Sequence, residues 1–178
     1  MVIMIIVAIV FGLIAVVVIL AALRPDTFEY RRSRVLDATP EAIMAELDDF
    51  RRWTRWSPWE GLDPALQRTY GPIARGPGAT YAWKGNRKAG AGQMTITGLE
   101  PAHKLTLQLE FTAPFKAVNT TEFTLDADHA GTRVTWTMRG KNTFVGKLFS
   151  LVFNMEKFIG KDFDRGLEAL GRAVSTHP

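Results

Sequence analysis

The chain has 178 residues, 22 basic against 18 acidic side chains for a net charge of +4, and no cysteine. Without cysteine, disulfides and thiolate catalysis are excluded, and the redox compartment stays open. The positive balance is mild and dispersed, with no basic run interleaved with aromatics. That argues against nucleic acid as a partner and suits an anionic membrane surface.

Met1 to Leu23 carry no charged side chain. About 20 apolar residues span a bilayer as a helix. A cleaved signal peptide usually has a basic start and a shorter apolar core. Here no Lys or Arg precedes the apolar run, and Ala21-Ala22 makes a poor cleavage site. The stretch reads as a retained single-span anchor over 1–23, which leaves 24–178 as one domain. Arg24, Arg31, Arg32 and Arg34 crowd the C-terminal flank of the run. The positive-inside rule then predicts a cytoplasmic domain.

Phe28 to Leu36 reads as a first strand. Thr39-Pro40-Glu41 opens a helix, with a Thr cap, Pro at the first position and an acid in the first turn. The helix is expected to run to about Phe50 or Trp53. Pro and Gly residues between Gly61 and Gly78 mark turns around a short strand at Leu66 to Tyr70. Strands follow at Thr80 to Lys84, Gly92 to Leu99, His103 to Thr112, Ala117 to Asp126 and Thr132 to Arg139. Each alternates with period two, which predicts an antiparallel sheet with one buried face. The buried face takes Tyr81 and Trp83, Met94, Leu107, Leu109 and Phe111, Phe123, then Trp136 and Met138. By alternation with Phe123, Asn119 and Thr121 also point inward.

Thr143 to Val174 contains no proline and is expected to form one long helix or a broken pair, with Asn142 or Thr143 as N-cap. At about 100° per residue, Leu148, Leu151, Met155, Phe158, Ile159, Phe163, Leu167 and Leu170 share a broad apolar stripe. Lys147, Asn154, Lys161 and Arg165 fall opposite. Gly166 lies on the stripe, where a missing side chain allows close approach to a sheet. Asp162 lies there too. A buried carboxylate needs a partner, here expected to be an arginine or a tryptophan N–H on the sheet, or else it serves a ligand. A curved sheet wrapped around one helix leaves a space between them, and such a space commonly holds a ligand.

The segment Phe50-Arg51-Arg52-Trp53-Thr54-Arg55-Trp56-Ser57-Pro58-Trp59, the Gly78 to Trp83 and Gly131 to Trp136 strands, and the ending Gly166-Leu167-Glu168-Ala169-Leu170 occur in the order strand, helix, strands, long helix. In that order they resemble the START-like helix-grip superfamily (SRPBCC), in its bacterial polyketide cyclase/dehydrase and lipid-transport branch. The resemblance covers about Phe28 to Val174. It implies an α+β helix-grip fold of six to seven strands around the C-terminal helix. It also implies a cavity for a lipid-like or other hydrophobic molecule, and some members of the superfamily are enzymes.

Trp53, Trp56 and Trp59, at three-residue spacing, either plug the core or line the cavity entrance. Tyr70, Tyr81, Trp83, Phe111, Phe123, Trp136 and Phe158 add an aromatic interior, and each is equally readable as plain core. His103, His129 and His177 lack metal-ligand spacing, so no metal or cofactor is expected. No G-x-S-x-G elbow is present. Two functions fit: a membrane-anchored, monomeric binder of a hydrophobic small molecule, or an aromatase/cyclase-type enzyme using the same cavity. Phe149 and Phe153 fall off the stripe. They either pack under the Pro114-Phe115 turn or the Trp53 to Trp59 segment, or contact the bilayer beside a Lys147 that reaches to the headgroups.

Overall fold

The computed structural model describes residues 1–175. Helix α1, Val2–Ala22, is followed by strand β1, Thr27–Leu36, and helix α2, Pro40–Leu47. Strands β2 (Gln67–Tyr70), β3 (Thr80–Lys84), β4 (Ala91–Glu100), β5 (Lys104–Ala113), β6 (Ala117–Asp128) and β7 (Gly131–Lys141) follow, then helices α3 (Phe144–Val152) and α4 (Met155–Ser175). The strands form one sheet of seven in the order β1-β7-β6-β5-β4-β3-β2. Every pairing is antiparallel. Hairpins connect β2 through β7 in sequence, while β1 crosses over to pair with β7, so the two ends of the domain share a sheet edge. The α+β helix-grip architecture expected from the strand pattern is present.

The period-two alternation sets which side chains are buried. On β6, Asn119, Thr121, Phe123 and Leu125 are buried and their neighbours are more exposed, so one face of the strand turns inward. Helix α4 covers that face with Phe163, Leu167, Leu170 and Val174. Its close seat depends on Gly166: a Cβ there would lie 2.7 Å from Trp136 Cζ3 and 3.1 Å from Pro58 Cδ.

One helix boundary differs from the periodicity reading, and one open alternative is decided. Helix α2 ends at Leu47, and Asp49 then caps a separate 3-10 turn over Phe50–Arg55 by accepting from the Arg51 N–H at 2.9 Å. The C-terminal helix is the broken pair, not one rod. Phe153 is extended (φ −114°, ψ 132°), and the Asn154 carboxamide accepts from the Lys157 N–H at 2.9 Å. An asparagine that can cap the next turn makes the interruption cheap. At the start of α3 the cap is Thr143, which accepts from the Gly146 N–H.

Candidate functional site

The inner face divides into two halves. At the end away from α1, the 3-10 turn drives two tryptophans into the core. Trp53 and Trp56 are 2% exposed, and their indole N–H groups donate to the carbonyls of Leu47 (2.9 Å) and Glu46 (3.4 Å). The Glu46 carboxylate, almost fully buried, is neutralised from outside by Arg52 and Arg55. Trp136 stacks on Phe163 with centroids 4.3 Å apart and planes 2° from parallel. Phe123 and Trp56 close on the same indole at 4.7 and 5.8 Å. Rings at these separations are in mutual contact, so this half is packed core. Trp59 remains half-buried at its edge, against Trp136 and Phe163.

Toward the α1 end the same face loosens. Leu109, Phe111, Trp83, Tyr30 and Ile159 are only half-buried. The cross-strand register sets Asn119 opposite Leu109 and Gly140, Thr121 opposite Leu107 and Met138, and Met94 opposite Leu109 and Tyr81. Gly140 is held small by its neighbours, since a Cβ there would collide with Asn119 Oδ1 and the Phe28 ring. Two inward-facing polar atoms, Thr121 Oγ1 and Trp136 Nε1, are buried without a hydrogen-bond partner among the described residues. Leaving such a group unpaired costs about 1–3 kcal/mol.

On the β2–β3 side, the Tyr81 hydroxyl donates to Glu60 Oε1 at 2.6 Å, and Arg68 Nε donates to Glu60 Oε2 at 2.7 Å. Burial, then the bond to the Glu60 carboxylate, pushes the Tyr81 phenol well above its ordinary value. Tyr70 stacks on Tyr81 at 5.2 Å and carries the Arg51 guanidinium 5.1 Å from its ring centroid.

Several side chains lie elsewhere than the helical periodicity suggests. Phe158 is 64% exposed, because on α4 itself it lies well over 100° around the helix from the buried Phe163, Leu167 and Leu170. Asp162 is buried on α4, but its partner is Arg165 one turn along the same helix, not a group on the sheet. Lys147 does not point outward: it is 8% exposed, with its ammonium 2.5 Å from Asp26. Phe149 and Phe153 pack under neither expected segment; they are 50% and 56% exposed, with rings 6.1 Å apart. Among the described residues no group of three or more His, Asp or Glu side chains is placed to hold a metal ion. His103 and His129 sit in or beside exposed turns, and His177 lies outside the described residues.

Two surface hollows flank the loose half. A cleft of about 480 Å³ lies between the α3–α4 break and β1, with Arg24, Tyr30, Leu151, Phe153 and Met155 among its walls. A groove of about 660 Å³ crosses the β1–β7–β6 edge, but its Arg139 is already paired with Glu29 and Glu122.

A seven-stranded antiparallel sheet closed over a C-terminal helix, with an aromatic inner face and few polar groups, defines a helix-grip domain of the SRPBCC type. The chain belongs to the family described as "Polyketide cyclase / dehydrase and lipid transport", whose pattern it matches over residues 27–175. Among solved structures it is similar to protein MLL2253 from Mesorhizobium loti, with 13% identity over 85% of this chain and 99% of that one and a TM-score of 0.62. It is similar to a protein from Rhizobium leguminosarum (13% identity, 85% and 96% covered, TM-score 0.61). A third is the Aha1 dimer from Colwellia psychrerythraea (17% identity, 83% and 96% covered, TM-score 0.59). At such identities these likenesses establish the fold alone. No curated protein matches the chain significantly.

Proposed function

We propose that the chain is a membrane-anchored binding protein for a mostly apolar small molecule or lipid that carries at least one hydrogen-bonding group. The observation that carries this reading is the pair of unpartnered buried atoms, Thr121 Oγ1 and Trp136 Nε1, on an otherwise apolar face. A ligand in the loose half, abutting the packed rings at the step from the Thr121–Met138 pair to the Phe123–Trp136 pair, would exchange a bond with the Thr121 hydroxyl or accept from the Trp136 indole N–H. Tyr30, Trp83, Leu109, Phe111, Asn119 and Met138 would line its apolar part. The packed rings of Trp53, Trp56 and Phe123 form the floor in this reading. The family's description, which includes lipid transport, supports the same class.

Anchoring rests on α1, whose 21 residues have the length and composition of a membrane span and are unburied apart from Ala21. A signal sequence shares those properties, so cleavage is the competing reading. With the anchor retained, Arg24 and Arg31 beside it favour a cytoplasmic domain, and the binder acts as a monomer. The experiment is native mass spectrometry of full-length protein extracted in mild detergent. Its intact mass should retain residues 1–23, and a co-purified apolar molecule should be lost or reduced in Thr121→Val. A mature chain starting beyond residue 23 would sink the anchor. A wild-type protein that never carries or takes up any apolar ligand would sink the binding function.

A further inference from the structure

We propose that α3 is an interfacial helix: it lies in the headgroup layer of an anionic bilayer and holds the α1 end of the sheet against that surface. This rests on the anchoring proposed above.

The linker between α1 and β1 is not a free tether. The Asn142 backbone N–H donates to the Asp26 carbonyl at 2.7 Å, and the Asn142 carboxamide donates to the Pro25 carbonyl at 3.2 Å. Lys147 Nζ reaches the Asp26 carboxylate at 2.5 Å, and α1 packs against α3. Those contacts fix α3 beside the point where α1 would leave the membrane.

The outward side of α3 is apolar throughout. Phe144, Val145, Phe149 and Val152 are 46–78% exposed, and Phe153 extends the patch just past the last turn. Lys147 is the only charged residue of the helix, and it is turned inward. Exposed large apolar side chains on a short helix next to a membrane span are the pattern of a helix seated at the interface.

The sheet register brings further groups to the same end. The turn between β5 and β6 exposes Phe115, 65% accessible, and Lys116. The loop between β3 and β4 exposes Arg87 and Lys88, and its Gly90 touches the Ala113 backbone of the neighbouring hairpin. With Arg24, these connections present four cations, and Asp26, the one acid in the linker, is paired with Lys147. At the opposite end, the turns 101–103 and 129–130 hold no Lys or Arg, and Arg75 in the 71–79 connection is paired with Asp48. Apolar rings set among cations at one end of the domain match a surface of anionic headgroups over hydrocarbon. Seated this way, the cleft at the α3–α4 break opens at headgroup level. One of its walls, Tyr30, pairs with Met138, which pairs in turn with Thr121.

The absence of cysteine makes the test direct, because each introduced thiol is unique. Full-length protein carrying one nitrobenzoxadiazole probe at Phe149→Cys, Phe153→Cys, Phe115→Cys, Gly12→Cys or His129→Cys is reconstituted in phosphatidylcholine–phosphatidylglycerol vesicles. Quenching by lipids spin-labelled at shallow or deep positions is then read, with circular dichroism checking each variant's fold. The expected result is several-fold stronger shallow quenching at 149, 153 and 115 than at 129, and deep quenching at 12. Quenching at 149 and 153 no greater than at 129, with position 12 still quenched, overturns the docking and leaves the anchor standing. An unquenched position 12 overturns both. Equal quenching of the 115 probe without phosphatidylglycerol overturns the anionic preference.

Discussion

The two halves of the sheet interior are made of similar residues and end differently. Away from α1, the inner face meets α4 where Gly166 lets Trp136 stack on Phe163, and tryptophans from the 3-10 turn fill what remains. Toward α1, the helix breaks before it can cover the sheet, and Leu109, Phe111 and Trp83 stay half-buried. Aromatic content therefore does not decide whether a helix-grip interior is core or cavity. The decision lies with the helix that closes it: how near it sits, and where it stops.

Paired substitutions test this contrast most strongly. Phe163→Ala should cost about 3–5 kcal/mol of unfolding free energy, because it leaves a cavity against Trp136. Leu109→Ala, in the loose half, should cost less than half as much, since its site is already partly solvated. Equal losses in urea titrations would mean that the two halves are packed alike.

Helix approach can be probed next. Gly166→Leu should destabilise by about 1–3 kcal/mol, because the indole of Trp136 and the ring of Pro58 are fixed. At Gly160 the atoms nearest an added Cβ belong to the end of the Arg32 side chain, which can swing away from Glu156 and Asp164 into water. The cost of Gly160→Leu should stay under about 1 kcal/mol, in line with the small worth of exposed ion pairs. Thermal melts giving the reverse order would show that the α1 end is the tightly seated one.

A smaller effect of opposite sign is expected at Thr121. Thr121→Val keeps the shape and removes a buried unpaired hydroxyl, so ligand-free protein should be unchanged or up to about 1 kcal/mol more stable. Loss of stability in ligand-free protein would reveal a hidden partner for the hydroxyl and weaken its assignment to a ligand.

The smallest effect lies on the outer face, where Glu122 is bonded to Lys104 and Arg139. The hydrogen bond from Lys104, working against partial burial, holds the Glu122 carboxyl below its ordinary value of 4.5. A lowered folded-state value means the folded protein binds its proton later than the unfolded chain. The contribution is therefore complete above about pH 5 and fades as pH falls below 4.5. Lys104 and Arg139 reach this half-buried carboxylate from the solvent side, so only a few tenths of a kcal/mol are at stake. Comparing wild type with Glu122→Gln should show a larger difference at pH 7 than at pH 3.5.

Most of the sheet was legible because a half-buried strand writes its two faces into alternate residues. The inward positions of Asn119, Thr121, Phe123, Trp136 and Met138 follow from that rule. Gly166 was legible as a point of close approach. A broken helix pair was one of two open readings, because no proline or glycine near Phe153 and Asn154 decides between a break and one rod. Its signal is local: Asn154 followed by Glu156, a cap and a first-turn acid inside a greasy run. Drawing the apolar stripe too broad places Phe158 inside, whereas on α4 it lies across the helix from Phe163 and Leu167 and is exposed. The partners of Lys147 and Asp162 were also out of reach. One involves residues 121 positions apart, and the other was sought on the sheet when it lay on the same helix.

The clamp of Asp26 by Lys147 bears on how a bound molecule changes hands. Four residues, 23–26, join α1 to β1, and fully extended they reach only about 14 Å. Pinned by Asn142 and Lys147, they give up even that freedom. With α1 in a bilayer, the domain has no leash on which to ferry cargo across an aqueous gap. Whatever loads or unloads it has to arrive by diffusing in the plane of the membrane or by docking onto a stationary receiver. On the proposed reading, a membrane-anchored binder, it is kinetically a fixed berth, and its exchange rate should follow the lateral density of donors and acceptors in that membrane.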